Sequence, residues 1–134
     1  MTTTLEQVNR ARYVPGQRAG HYESFFQRAN HPTRPLAFWI RYTLFHPHQR
    51  PEDAIGELWA IFFDGEQGQH AVAKTKVPLA QCRFAPDAFA VRVGDATLEP
   101  GALRGEASSA EQTIAWDLRY GGAQPPAFLL PRRL

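Results

Sequence analysis

HYESFFQR (21–28), LAFWIRYTLF (36–45), IGELWAIFFD (55–64) and QHAVAKTKV (69–77) are runs in which charged and large aromatic or aliphatic residues interleave. Alternation with a period of two sends successive side chains to opposite faces of an extended chain, so each run reads as a β-strand. Turn formers separate them: Asn30, Pro32 and Pro35, then Pro47 and Pro51, then Asp64-Gly65 and Gly68. Proline fixes φ and lacks a ladder donor, while glycine reaches the positive φ of tight turns. Three antiparallel hairpins follow.

Downstream, Phe89–Val93 and Ala96–Leu98 flank Gly94-Asp95, a glycine-first pair suited to a type II′ turn. Pro100-Gly101 precedes a strand over Leu103–Ala107, and Thr113–Tyr120 places Ile114, Trp116, Leu118 and Tyr120 on one face. Short strands in chain order with short loops predict a mainly β fold, an antiparallel up-and-down meander forming a barrel or half-barrel. A Greek-key sandwich is the alternative topology. Leu5 and Val8 suit a short helix that Pro15 and Gly16 end, so residues 1–19 read as a tail or covering segment and 20–131 as the β domain. The proline-rich residues 123–134 do not resemble the natural finish of a domain.

The chain has 134 residues, enough for one core, and 43% hydrophobic content places it outside the disordered class. Fifteen basic and thirteen acidic residues leave a formal charge of +2, scattered except at Arg132 and Arg133, so no nucleic-acid partner is expected. Cys82 is the only cysteine, which rules out an intrachain disulfide and fits a reducing compartment. Glu6, Arg10, Arg12 and Arg18 interrupt any apolar leader. The expectation is a cytoplasmic chain with no membrane span.

Pairing the strands about their loops sets a register. Centred on Pro32, Glu23 opposes Arg41 and Phe25 opposes Trp39; centred on Gln49, Arg41 opposes Glu57 and Trp39 opposes Trp59. Centred between Glu66 and Gln67, Glu57 opposes Lys76 and Trp59 opposes Lys74. A slip of two would keep the faces and set Arg41 beside Trp59; a slip of one would exchange them. One face then carries an ionic row beside the candidate ligand-binding residues Phe25, Trp39, Arg41, Trp59 and Lys74. The other collects Tyr22, Ser24 and Phe26 with Phe38, Ile40, Tyr42, Leu44, Leu58, Ala60, Phe62, Ala71, Ala73 and Thr75, and reads as the drier side. The aromatic content of the charged face predicts that something covers it.

Glu23 and Glu57 are the candidate catalytic pair, because two carboxyl groups can serve as acid and base. In this register Arg41 stands between them, favours their charged forms and makes the row read as architecture. His46-x-His48 supplies two metal ligands where a closed site needs three or four, so no metal is expected. Ser24 lies in no G-x-S-x-G elbow, and no phosphate-cradling glycine loop occurs, so no cofactor is implied. Cys82 has Arg83 as a neighbour that favours a thiolate, against burial that favours an inert thiol.

The segments E-S at Glu23-Ser24, F-W-I-R-Y at Phe38–Tyr42 and E-L-W-A at Glu57–Ala60, with KVPLAQCRF and TIAWDLRYGGAQPPAFLLP, resemble the amino-terminal part of lipocalin-like proteins related to bacterial carotenoid hydratases (hydroxyneurosporene synthases). The resemblance runs from Gly20 to Pro131. It implies a lipocalin-like β domain, one of two in tandem, in a family whose members hydrate, cyclise or bind isoprenoid and other greasy ligands. The chain stops where the second half begins in that family, and an H-N-W-G-like segment is absent. The resemblance therefore implies a domain that binds an apolar, isoprenoid- or lipid-like small molecule, or docks a second β domain, through the face of Trp39 and Trp59. A hydratase with Glu23 or Glu57 as proton donor and the two indoles stabilising a cation is the enzymatic alternative. A domain that forms homodimers through the aromatic face is the structural one.

Overall fold

The computed structural model describes residues 4–122, 124, 125 and 127. After one helical turn, α1 (Leu5–Val8), come four long strands, β1 (His21–Asn30), β2 (Leu36–His46), β3 (Ile55–Asp64) and β4 (Gln69–Pro78). Five shorter ones follow: β5 (Cys82–Phe84), β6 (Val91–Val93), β7 (Ala96–Glu99), β8 (Ala102–Ser108) and β9 (Thr113–Arg119). They form two antiparallel sheets, β1-β2-β3-β4 and β5-β6-β7-β8-β9, so both are up-and-down meanders and neither is a Greek key. No helix among the described residues is long and apolar enough to cross a membrane. The end of the expected β domain, 128–131, lies outside the described residues.

The β3–β4 hairpin has the expected register, with Glu57 opposite Lys76 and Trp59 opposite Lys74. Asp64 fixes that turn by accepting from the amides of Glu66 and Gln67, and Gly68 takes φ 65°. Between β2 and β3 the pairing slides by two, so Arg41 opposes Trp59 and Trp39 opposes Ile61. Gln49 at φ 62° and a 3-10 turn over Pro51–Asp53 lengthen that loop on its β3 side without exchanging faces.

The β1 pairing corrects the sequence expectation. Glu23 lies opposite Leu44 and Phe25 opposite Tyr42, an odd shift that turns every β1 side chain over. The cause is local. His31 Nδ1 accepts from the amides of Thr33 and Arg34 at 3.2 and 3.0 Å, and the His31 amide donates to Leu36 O at 2.8 Å. The turn is thereby centred beyond Pro32, and β1 continues to Asn30. Tyr22 and Phe26, expected on the dry face, stand 56% and 55% exposed on the other side, while Phe25 packs against Phe84 and Phe89.

The core lies between the sheets. Ile40, Tyr42, Leu44, Leu58, Ala60 and Ala73 from the first meet Val91, Val93, Leu98, Leu103, Ala107 and Trp116 from the second. Tyr42 is fully enclosed: its hydroxyl donates to Thr97 O at 2.7 Å and accepts from Trp116 Nε1 at 2.9 Å, bridging the layers. On the β4 side, the β8–β9 hairpin covers the edge. Gln112 Oε1 accepts from the Val72 amide, Ser109 Oγ from the Lys74 amide, and Thr75 Oγ1 from the Ser108 amide. Among the described residues no backbone ladder joins the two sheets, which remain distinct.

On the β1 side, residues 11–20 act as a covering segment. The Ala11 amide donates to Ala85 O, and Tyr13 is buried against His21 and His46. Cys82–Phe84 is a strand that sequence periodicity did not reveal, because three residues carry too little alternation to register. Phe89, expected to open the next strand, is a buried loop residue before it.

Candidate functional site

Two regions gather the chemistry: the outer face of the first sheet, and the space between the sheets. On the outer face, Arg41 of β2 lies between two indoles, with its guanidinium carbon 4.9 Å from the Trp39 ring and 5.4 Å from Trp59. Lys74 Nζ sits 4.2 Å from the Trp59 centroid and 3.1 Å from Glu57 Oε2, which also accepts from Trp59 Nε1 at 3.0 Å. Cations over indole faces are attracted by the ring quadrupole, at about 0.5–1 kcal/mol each on a surface. Five of the seven residues singled out from sequence, Trp39, Arg41, Glu57, Trp59 and Lys74, thus form one continuous cluster. Arg41 Nε is closed off from solvent and has no acceptor among the described residues.

Glu23 and Phe25 are not part of this cluster. The inverted β1 register carries both to the inner side, where Glu23 Oε1 accepts from the Arg12 amide and His21 Nε2, each at 2.6 Å. Glu23 and Glu57 therefore stand on opposite faces of one sheet and do not form an acid–base pair. The sequence reading of Arg41 set between two carboxylates fails for the same reason. Instead, Glu23 fastens the covering segment.

Between the sheets, mostly apolar side chains line two open cavities. Phe25, Gln27, Phe89, Leu98 and Tyr120 border one of about 420 Å³. Phe38, Ile40, Phe62, Ala71, Ile114 and Leu118 border one of about 510 Å³, with Trp116 in its wall. Phe62 remains 39% exposed although its strand parity points it inward, because the second sheet, built of shorter strands, does not cover it. Sequence reasoning placed these side chains on dry faces but missed the cavities, since where one sheet outruns the other depends on strand lengths in both.

The remaining candidates are quiet. Burial raises the Cys82 thiol above its ordinary value against the opposing effects of the Gly94 backbone and Arg92, so of the two readings of Cys82 the inert thiol is favoured. His46 is 1% exposed with neither ring nitrogen paired among the described residues, whereas His48 faces solvent, so the H-x-H pair does not converge. No group of three or more His, Cys, Asp or Glu among the described residues could hold a metal ion. Comparison with protein-family models, with curated proteins and with solved structures finds no match to this chain.

Proposed function

We propose that this chain is a lipocalin-like binding module that holds an apolar small molecule between its two sheets. The observation that carries the reading is the 510 Å³ cavity under Phe38, Phe62, Ile114 and Leu118, with Phe62 left partly exposed at its lip. Its size falls within the roughly 300–1,000 Å³ of small-molecule sites, and apolar walls with few polar groups are their usual lining. The sequence resemblance adds the ligand class, an isoprenoid- or lipid-like molecule, and adds the half-barrel as the family form of two meanders sharing one core. Acid catalysis gains no support from the separated Glu23 and Glu57.

Retinol is a suitable probe, because Trp116 in the cavity wall is placed to transfer excitation to it. Titration is expected to quench tryptophan emission with saturation. Ala71→Phe, which fills the cavity, is expected to weaken binding at least tenfold, and Arg41→Gln on the outer face to leave it unchanged. Absence of saturable transfer with retinol and with long-chain fatty acids, or binding indifferent to Ala71→Phe, would refute the proposal.

A further inference from the structure

The outer face of the four-stranded sheet is a second surface, independent of the cavity. Tyr22, Phe26, Phe45, Phe63 and Val72 stand 39–56% exposed in a band around Trp39 and Trp59. Four strands of about ten residues, spaced about 4.8 Å apart at about 3.3 Å per residue, present about 600 Å². That approaches the ~800 Å² each partner contributes to a stable protein interface. The exposed aromatic band within that face marks it as a contact surface.

Charge decides the occupant. Strand parity places Arg28, Arg41, Lys74 and Lys76 on this face, with Glu57 as the carboxylate among them. Glu57 is committed to Lys74 and to the Trp59 indole, which leaves Arg41 and Lys76 with no ion pair among the described residues. We propose that this face docks an acidic polypeptide segment, whose carboxylates pair with Arg41 and Lys76 while its apolar side chains lie on the exposed aromatic band. The planar guanidinium of Arg41, held between two indoles, is preorganised for a two-point contact with a carboxylate.

Two other occupants fit less well. A second copy of the chain meeting face to face would set this cationic cluster against itself, and like charges across an interface suppress pairing. Single-stranded nucleic acid needs open aromatic faces for base stacking, and here Arg41 and Lys74 already lie over the indoles.

The test is an amide and indole NMR titration of the full chain with a random glutamate–tyrosine copolymer as the probe, beside polylysine and oligothymidine. Binding is expected to shift the Trp39 and Trp59 indole signals and the β2–β4 amides, to leave the Trp116 indole in place, and to weaken as salt screens it. Arg41→Gln, or Lys76→Gln should the first variant lose its folded spectrum, is expected to reduce affinity at least tenfold. Failure of the copolymer to move Trp39 and Trp59, equal affinity in the variants, tighter binding of oligothymidine, or the same shifts produced by raising protein concentration alone would each overturn the proposal. None of these results bears on retinol binding between the sheets.

Discussion

Tyr42→Phe is expected to lower the unfolding free energy by about 2 kcal/mol, because one oxygen is removed and two buried groups lose their partner. Trp116 Nε1 would be left without an acceptor and Thr97 O without its donor, both within the core between the sheets. At this chain length that loss corresponds to a melting temperature lower by roughly 6–10 °C. Calorimetry on the variant, with Trp116→Phe and the double variant completing a cycle, measures the coupling between the two side chains. An additive cycle would show that the bridge contributes nothing beyond its packing.

The same hydroxyl sets an alkaline limit. Burial raises the Tyr42 phenol far above its ordinary value near 10, outweighing the opposing effect of the Trp116 hydrogen bond. Below pH 10 the phenol is neutral in both states and its contribution is fully present. As pH rises further, the unfolded chain releases a proton that the folded chain keeps, so stability falls. Tyr42→Phe should therefore be the less stable protein at pH 7 and show the shallower loss above pH 10. Parallel alkaline denaturation slopes for the two proteins would contradict this.

Gly56→Ala is the second large effect. Gly56 is buried on the inner face of β3, and a Cβ there would meet the Cys82 sulfur directly, with Val93 Cγ1 3.2 Å away. Overpacking of this kind costs about 1–3 kcal/mol. Its origin is checked by rescue, since Cys82→Ala removes the obstructing sulfur. The double variant should be more stable than Gly56→Ala alone even though Cys82→Ala by itself leaves a small void. A double variant at least as unstable as the sum of the two singles would locate the strain elsewhere.

These positions also show where sequence reading reaches its limit. The β3–β4 register was legible because its turn is fixed by Asp64 and Gly68, residues whose turn chemistry is local. The Trp116 face was legible because seven residues of β9 alternate cleanly. The β1 register was not, because the side chain of His31 recentres a proline-rich loop, and nothing in the strands on either side signals that choice. One odd shift sent Glu23 and Phe25 inward and dissolved a carboxylate pair that looked plausible in one dimension. The Trp39, Arg41, Trp59 and Lys74 cluster survived because the β2–β3 slide was even. The contact of Gly56 with Cys82 joins two sheets, and no local pattern announces it.

The strand order has a consequence for how the chain reaches this structure. Every hydrogen-bonded neighbour in either sheet is also the next strand in sequence, so each meander closes by short loops at small entropic cost. The only long-range step is docking of one meander on the other, through contacts such as Tyr42 to Trp116 that span 74 residues. Hairpin closure within each meander is therefore expected to run ahead of docking. Pulsed hydrogen exchange should find β2–β3 amides protected before the Trp116 indole.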